Sequence, residues 1–268
     1  MNEAFVLHSL PWRETSLIVE VFTPDQGRLG LVARGARRPR SALRGLLQPF
    51  TPLLVRYSAK GELRTLMGAE WRGGLGALPA ASLMAGFYLN ELVMRLLPRQ
   101  DPHPLLFQAY EQALGALSQT DQTSVIEPVL RQFECRFLRE MGLAPDFAPQ
   151  AVQEDPQAWF ELRPADGVYR LGESEVSDEA LTVGGQTLLA LAAYDQPLSV
   201  FAAQFEHGPV AAESKRLLRT LLRHQLGEAD LMSREAVRTL SQMRAESSLG
   251  PDGVPPEVSD MDRGRRAS

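Results

Sequence analysis

Five short strand-like segments fill the first seventy residues of the chain, with a longer connection between the third and the fourth. Strands are predicted at residues 4–10, 16–22, 28–34, 52–57 and 62–71. Turn-forming sequences separate them, including Asp25-Gln26-Gly27 and Lys60-Gly61. A lone five-stranded sheet exposes two edges, whereas a closed barrel exposes none. The pattern therefore predicts a small barrel of the OB-fold type, and an SH3-like barrel would satisfy the same spacing.

Beyond a glycine-rich stretch at residues 72–76, the apolar residues recur with helical spacing. Helices are predicted at residues 81–97, 103–117, 124–141, 185–194, 210–226 and 233–244. The helical pattern lapses near residues 142–183, where Asp166-Gly167 separates two strand-like runs and predicts a β-hairpin. The second part of the chain is therefore expected to be mostly α-helical.

These patterns together predict an α+β protein of more than one domain. An N-terminal five-stranded OB-fold barrel is expected at residues 1–76, and a mostly helical domain with a small hairpin insertion at residues 77–243. Residues 244–268 are rich in Ser, Gly, Pro and charge and have almost nothing to bury, so a disordered tail is predicted there.

The charges are distributed unevenly between these parts. The chain has a formal net charge of −5, but residues 1–80 hold 11 Arg or Lys and only 6 Asp or Glu. The remaining 188 residues hold 17 basic and 27 acidic residues, so they are strongly acidic. The two parts are therefore expected to face different partners.

Arginines are concentrated in the segment that follows the third predicted strand. This segment has no acidic residue and contains Arg34, Arg37, Arg38, Arg40 and Arg44. Guanidinium groups stay charged and form paired hydrogen bonds with phosphate oxygens, so the segment is predicted to bind the DNA backbone. An ordinary solvated loop is the alternative interpretation.

Three arginines on the predicted strands are added to this set: Arg28, Arg56 and Arg64. Residues 28–72 hold ten basic residues and two acids, and this imbalance favours nucleic acid over simple solvation. Trp12 is the aromatic residue nominated to stack on a base, although tryptophan more often fills a hydrophobic gap. The other barrel aromatics are predicted to pack the barrel: Phe5, Phe22, Phe50 and Trp71.

Common catalytic motifs are missing from the sequence. The chain has two lysines, Lys60 and Lys215, and neither completes a phosphate-binding Gly-Lys-Ser/Thr motif. The four histidines lack zinc-hydrolase spacing, and no Gly-x-Ser-x-Gly elbow occurs. No catalytic residue and no cofactor are therefore predicted, and the single cysteine, Cys135, is expected to be a buried inert thiol.

Several motifs resemble the RecO family. In the barrel these are Arg13-Glu14-Thr15-Ser16-Leu17, Gly27-Arg28-Leu29, Gly35-Ala36-Arg37-Arg38-Pro39 and Leu46-Leu47-Gln48-Pro49-Phe50. In the helical part they are Tyr88-Leu89-Asn90-Glu91-Leu92, residues 96–107, residues 133–142 and Ser214-Lys215-Arg216-Leu217-Leu218-Arg219. The resemblance covers roughly residues 1–243.

This resemblance implies a non-catalytic recombination mediator of the RecF pathway. Such a protein would bind single- and double-stranded DNA, anneal complementary strands, and with RecR help to load RecA onto DNA coated by single-strand-binding protein. Many family members also carry a four-cysteine zinc site, but this chain has no cysteine after Gly142. The chain is therefore expected to be a zinc-less member, with its hairpin held by side chains instead: Trp159, Phe160, Leu162, Tyr169 and Leu171.

A partner site is predicted on the third helix. Arg131, Arg136 and Arg139 accompany apolar residues there and could bind the acidic, Phe-ended C-terminal tail of single-strand-binding protein. Ordinary amphipathic packing explains the same pattern equally well.

The rival function is a protein-interaction scaffold, in which the acidic helical domain is the working surface and DNA contact is incidental. An enzyme is a more distant alternative. With no secretory signal or membrane span predicted, a cytoplasmic, nucleoid-associated location is expected.

Overall fold

The computed structural model describes residues 1–59, 61, 63–163, 166–172, 181–206, 208–226, 231 and 233. Residues Met1–Ala229 form one compact unit, and Asp230–Ser268 form a second. Apart from Ser233, the predicted helix at 233–244 and the predicted tail at 244–268 lie outside the described residues.

The five predicted strands are all present. They are β1 (Asn2–Trp12), β2 (Ser16–Thr23), β3 (Gly27–Ala33), β4 (Pro52–Tyr57) and β5 (Leu63–Trp71). The barrel closes in the order β1-β2-β3-β5-β4, with β1 antiparallel to β4 and β3 parallel to β5. This Greek-key path is that of an OB-fold, so the OB-fold prediction is confirmed and the SH3-like alternative is excluded.

Alternation along the strands separates the barrel interior from its outer wall. Leu29, Leu31 and Ala33 of β3 are buried in the barrel core, whereas Arg28 and Val32 on the other side are only half-buried. The loop from β3 to β4 contributes two more core residues, Ala36 and Leu47. The barrel is therefore filled by small and branched aliphatic side chains.

The second part of the chain is mostly helical, as predicted. Its helices are α1 (Ala80–Leu96), α2 (Pro104–Leu117), α3 (Thr123–Glu140), α4 (Gln150–Glu154), α5 (Gly185–Ala192), α6 (Leu198–Ala203) and α7 (Val210–Leu226). The sequence analysis missed α4 and α6, because five or six residues are too few to establish a helical period. None of the helices in the described part of the chain combines the length and hydropathy needed to cross a bilayer.

A small sheet lies between α4 and α5. Strands β6 (Trp159–Arg163) and β7 (Gly167–Arg170) form the predicted hairpin, and β8 (Thr182–Gly184), which was not predicted, pairs with β6 on its other side. Phe160 and Leu162 are fully buried, but Trp159 and Tyr169 are 53% and 42% exposed. Tyr169 nevertheless helps to hold the hairpin, because its ring lies 4.6 Å from the guanidinium carbon of Arg163 and its hydroxyl donates to the carbonyl oxygen of Asp166 at 3.3 Å. For Trp159 the expectation was wrong, because strand alternation places its ring on the face of the sheet opposite to that of Phe160.

Aromatic rings join the barrel wall to the helical part. Phe22 lies 5.4 Å from Phe107 and 5.9 Å from Tyr110, measured between ring centroids, and Phe5 contacts the same two rings. Phe50 packs against Phe87 of α1. These three phenylalanines are buried, as predicted, but their rings lie on the outer wall of the barrel under α1 and α2 and are not part of its core cluster. Trp71, also predicted to pack the barrel, is instead 62% exposed, so that prediction was wrong.

Candidate nucleic-acid interface

The loop between β3 and β4 holds its arginines outward. We call residues 34–44 the arginine loop. Ala36 is fully buried within it, Leu47 is buried just beyond it, and a short 3-10 helix at Ala42–Arg44 shapes its end. The side chains of all five arginines predicted to bind DNA in this loop are exposed: Arg34, Arg37, Arg38, Arg40 and Arg44.

No carboxylate neutralises the arginine loop within the described part of the chain. Elsewhere in this structure ion pairs engage arginines such as Arg72, which binds Glu3 at 3.1 Å and also contacts Glu111. The arginines of the loop make no such pair with any described residue. Their positive charge is therefore available to an external anion.

The turn between β1 and β2 lies against the arginine loop. The backbone N–H of Arg37 donates to the carbonyl oxygen of Thr15 at 2.9 Å, and its guanidinium lies 3.4 Å from the carbonyl oxygens of both Arg13 and Glu14. Trp12 is 42% exposed here, with the guanidinium carbon of Arg13 at 5.9 Å from its ring centroid. The alternative interpretation, that Trp12 fills a hydrophobic gap, is therefore wrong.

Arg13 was missed as a candidate for this surface. Its backbone has a φ of 53°, in the left-handed region that turns favour. Its position beside Trp12 in a Pro-Trp-Arg-Glu turn was the available signal in the sequence. The candidate interface thus combines the arginine loop with Trp12 and Arg13.

The β2–β3 wall, on which OB-folds usually bind their ligands, is covered over part of its length. Glu20 and Phe22 of β2 pair with Gly30 and Arg28 of β3, and this part of the wall lies beneath the helical part. Further along, Ile18 pairs with Val32 and both are only half-buried. The open end of the wall is the end nearest the arginine loop.

Two of the strand arginines predicted to bind DNA are engaged inside the protein. The Nε of Arg28 donates to the carbonyl oxygen of Leu97 at 3.0 Å, and its Nη1 lies 3.6 Å from Glu20. Burial lowers the pKa of Arg28, and Glu20 partly offsets this effect. Arg64 is 9% exposed and contacts Gln26 and Gln100 through its Nη2. We therefore leave both out of the proposed phosphate-binding set.

Arg56, the third strand arginine, is exposed on β4. Its guanidinium lies over Gly68 of β5, where an added Cβ would sit 3.1 Å from Nη2. It forms no ion pair with a described carboxylate, so it remains a candidate.

The structure separates the three arginines predicted to bind a partner on α3. Arg131 is 5% exposed, and its Nη1 lies 2.8 Å from the fully buried Glu134. Desolvation by burial opposes its charge, but the combined electrostatic effect of Glu134, Tyr88, Glu127 and Cys135 outweighs it and raises the pKa of Arg131. Arg131 is thus a buried structural residue, because it lies on the face of α3 that packs inward.

Arg136 and Arg139 instead line a groove between α2, α3 and the segment at residues 194–198. The groove consists of two adjoining cavities of about 410 and 340 Å³. Arg136 lines both and donates to the carbonyl oxygen of Tyr194 at 3.0 Å, while Arg139 is exposed beside the smaller cavity. Mostly apolar residues line the larger cavity near Phe133: Ala109, Ala113, Val129, Pro197 and Leu198.

Cys135 is fully buried, as expected, and burial raises the pKa of its thiol. Among the residues that the structure describes, no group of three or more His, Cys, Asp or Glu side chains is placed to hold a metal ion.

The topology and the packed barrel wall define an OB-fold protein whose helical part covers one end of the usual ligand-binding face. Residues 1–75 match the family model described as "Recombination protein O N terminal", and residues 80–235 match "Recombination protein O C terminal". The chain therefore belongs to the RecO family.

Curated relatives agree over nearly the whole length. The chain is 45% identical to the DNA repair protein RecO of Aromatoleum aromaticum over 244 residues, which is 90% of this chain and 95% of that protein. It is 44% identical to the DNA repair protein RecO of Azoarcus sp. strain BH72 over 247 residues, covering 90% and 96%. The corresponding protein of Thiobacillus denitrificans is 41% identical over 251 residues, covering 90% and 93%.

Proposed function

We propose that this DNA repair family member is a non-catalytic recombination mediator that binds single- and double-stranded DNA and anneals complementary strands. The observation that carries the proposal is the arginine loop, whose five exposed guanidiniums face no described carboxylate. Phosphate contacts are common to single and double strands and carry no sequence information, so binding would be largely independent of sequence. Annealing follows if the loop also offsets the repulsion between the two strands being paired.

The test is the salt dependence of DNA affinity. Arg38→Ala/Arg40→Ala removes two loop charges without disturbing the hydrogen bonds of Arg37 to the β1–β2 turn. On poly-dT, the slope of log affinity against log salt should fall in magnitude by about 1.4, from about 0.7 per phosphate contact. The loss of affinity should be the same on a mixed sequence, because phosphates are identical in both.

The matched control is Arg163→Ala/Arg170→Ala, which removes the same charge from exposed positions on the small sheet. Its slope should equal that of the wild type. An unchanged slope in folded Arg38→Ala/Arg40→Ala would move the binding surface away from the arginine loop. Little DNA binding by the wild type would favour the scaffold function.

We further propose that the groove lined by Arg136 and Arg139 binds the C-terminal tail of single-strand-binding protein. Such a tail needs cations for its carboxylates and an apolar slot for its terminal phenylalanine. The exposed Arg139 meets the first need, and the cavity beside Phe133 meets the second. Asp195 also lines both cavities and would repel acidic residues, so the carboxylates are placed toward the Arg139 end.

A labelled tail peptide tests this site. Arg139→Ala should weaken peptide binding at least about tenfold, because losing one charge-assisted hydrogen bond costs about 1.5–3 kcal/mol. Arg223→Ala, which removes an exposed arginine from α7, is the control and should bind the peptide as the wild type does. Equal affinity for all three proteins would remove the tail from this groove.

Family membership also supports cooperation with RecR in loading RecA onto coated DNA, and a cytoplasmic, nucleoid-associated location. The test is a reconstituted assay in which RecA displaces single-strand-binding protein from DNA. This protein and RecR together should accelerate the displacement, and either one alone should not.

A further inference from the structure

We propose that this protein holds a DNA strand by its phosphates with the bases facing outward, and that Trp12 stacks on a single base of the bound strand. The inference rests on the proposed DNA-binding function and deepens it. It follows from which parts of the barrel wall the helical part covers and which aromatic rings are exposed to solvent.

The usual OB-fold binding wall cannot accommodate a run of bases here. Glu20, in the middle of the wall, forms ion pairs with Arg28 and with Arg99 from the segment joining α1 to α2. Phe22 is fully buried against Phe107. Gly27 approaches the same segment so closely that an added Cβ would lie 1.9 Å from the carbonyl oxygen of Asp101. Bases could enter this end of the wall only if the helical part moved away.

Among its described residues, the barrel also has no series of exposed aromatic rings on which successive bases could stack. Phe5 and Phe22 are fully buried, and Tyr57 is half-buried and lies under the guanidinium of Arg64, 5.3 Å from its ring centroid. Among the barrel aromatics, only Trp12 and Trp71 are both large and well exposed. Of these two, Trp12 at the end of β1 directly precedes the turn residues Arg13 and Glu14, whose carbonyl oxygens Arg37 contacts.

The surroundings of Trp12 suit one base. The guanidinium carbon of Arg13 lies 5.9 Å from the ring centroid, so a cation neighbours the indole while 42% of the residue stays open to solvent. A base placed on the exposed ring would bring its phosphate toward the neighbouring arginines of the loop. The rest of the strand would follow exposed guanidiniums, which bind phosphate and leave the bases free.

This arrangement gives annealing a physical basis. A protein that buries the bases of a bound strand blocks pairing, whereas one that binds only phosphates presents the bases to a complementary strand. One stacked base would fix the strand on the protein without hiding the remainder.

The experiment uses the full-length protein and poly-dT. Three single-tryptophan proteins, each with the other two tryptophans changed to phenylalanine, report separately on Trp12, Trp71 and Trp159. DNA should quench the fluorescence of Trp12 and leave that of the other two unchanged, although all three are exposed. Equal quenching of all three, or quenching of Trp71 alone, would overturn the role of Trp12.

Measurements of DNA affinity separate the contribution of base stacking from that of the arginine charges. Trp12→Ala should lower affinity about tenfold, within the range for one base on an aromatic ring, and should leave the salt slope unchanged. Trp71→Ala, the matched control on the same barrel, should have no effect. A reduced salt slope in Trp12→Ala would indicate disturbance of the arginine loop instead of loss of stacking.

Base exposure is measured with an oligonucleotide that carries 2-aminopurine. Acrylamide should quench the bound oligonucleotide nearly as efficiently as the free one, because most bases face solvent. Strong protection from acrylamide while DNA is bound would overturn the outward orientation and leave the proposed DNA-binding function intact. Failure of the wild type to bind DNA at all would overturn both.

Discussion

Arginine side chains on α3 differ sharply in their surroundings over two turns of one helix. Arg131 is buried against Glu134, which also accepts a hydrogen bond from Tyr88, whereas Arg139 is exposed at the groove. A guanidinium can stabilise a buried carboxylate or serve an external anion, and burial decides between the two. The same distinction separates Arg28 and Arg64 from the arginine loop.

Arg131→Ala should therefore destabilise the protein, because it removes the ion-pair partner of the buried Glu134. The expected loss in the free energy of unfolding is about 3–5 kcal/mol, measured by urea denaturation. Arg139→Ala should change it by no more than about 0.5 kcal/mol, as is usual for exposed positions. Similar stabilities for the two variants would contradict the structural role of Arg131.

One contact keeps the helical part over the end of the β2–β3 wall. It joins the β2–β3 turn to the segment between α1 and α2. Gly27 has a φ of +63° and lies against the backbone of Asp101, while Gln100 donates its N–H to the carbonyl oxygen of Arg28 at 3.0 Å. Only glycine satisfies both the backbone conformation and the close approach at this position.

Gly27→Ala should separate these segments and lower the melting temperature, at a cost above about 1 kcal/mol. Gly45→Ala is the matched control, since Gly45 has a φ of −84° and an added Cβ would meet nothing within 4 Å. That control should be neutral or slightly stabilising. Thermal denaturation of both variants measures the difference, and a wild-type melting temperature for Gly27→Ala would contradict the close contact.

At the scale of the whole molecule, the barrel and the helical part belong to one compact unit, Met1–Ala229, and meet through an apolar interface. The rings of Phe5 and Phe22 meet Phe107 and Tyr110, and the side-chain amide of Asn90 donates to the carbonyl oxygen of Leu7 at 2.7 Å. A barrel cut at residue 76 would expose this aromatic wall to water. The domain boundary between residues 76 and 77 stays a prediction from the sequence.

Barrel and helical part should accordingly unfold together. Single-tryptophan variants retaining Trp71 in the barrel or Trp159 in the small sheet should give coincident urea transitions, because separating the two parts would expose their aromatic interface to water. Two separated transitions would show that the aromatic contacts contribute little to stability.

Zinc should be unnecessary for this stability. The small sheet buries Phe160, Leu162 and Val183, and Phe160 packs against the chain at Gly185. Metal analysis of the purified protein should find no stoichiometric zinc, and a chelator should leave its melting temperature unchanged. One zinc per chain would contradict the zinc-less prediction.

The sequence by itself determined the positions of the five barrel strands, the long helices and the hairpin, because periodicity and turn residues act over a few neighbouring positions. The same local information predicted an exposed arginine loop, since a run of charges without an acid has no reason to be buried. Helices as short as α4 and α6 carry too little pattern to be found this way.

Only the tertiary structure decided which outer surfaces are covered. Phe22 could have filled the barrel or faced DNA, and its burial depends on Phe107, 85 positions further along the chain. Arg28 is engaged by Leu97, and Arg64 by Gln26 and Gln100, whereas Trp12 and Trp71 are left exposed. Burial of a side chain on an outer wall is set by what packs there from distant sequence, and no local pattern contains that information.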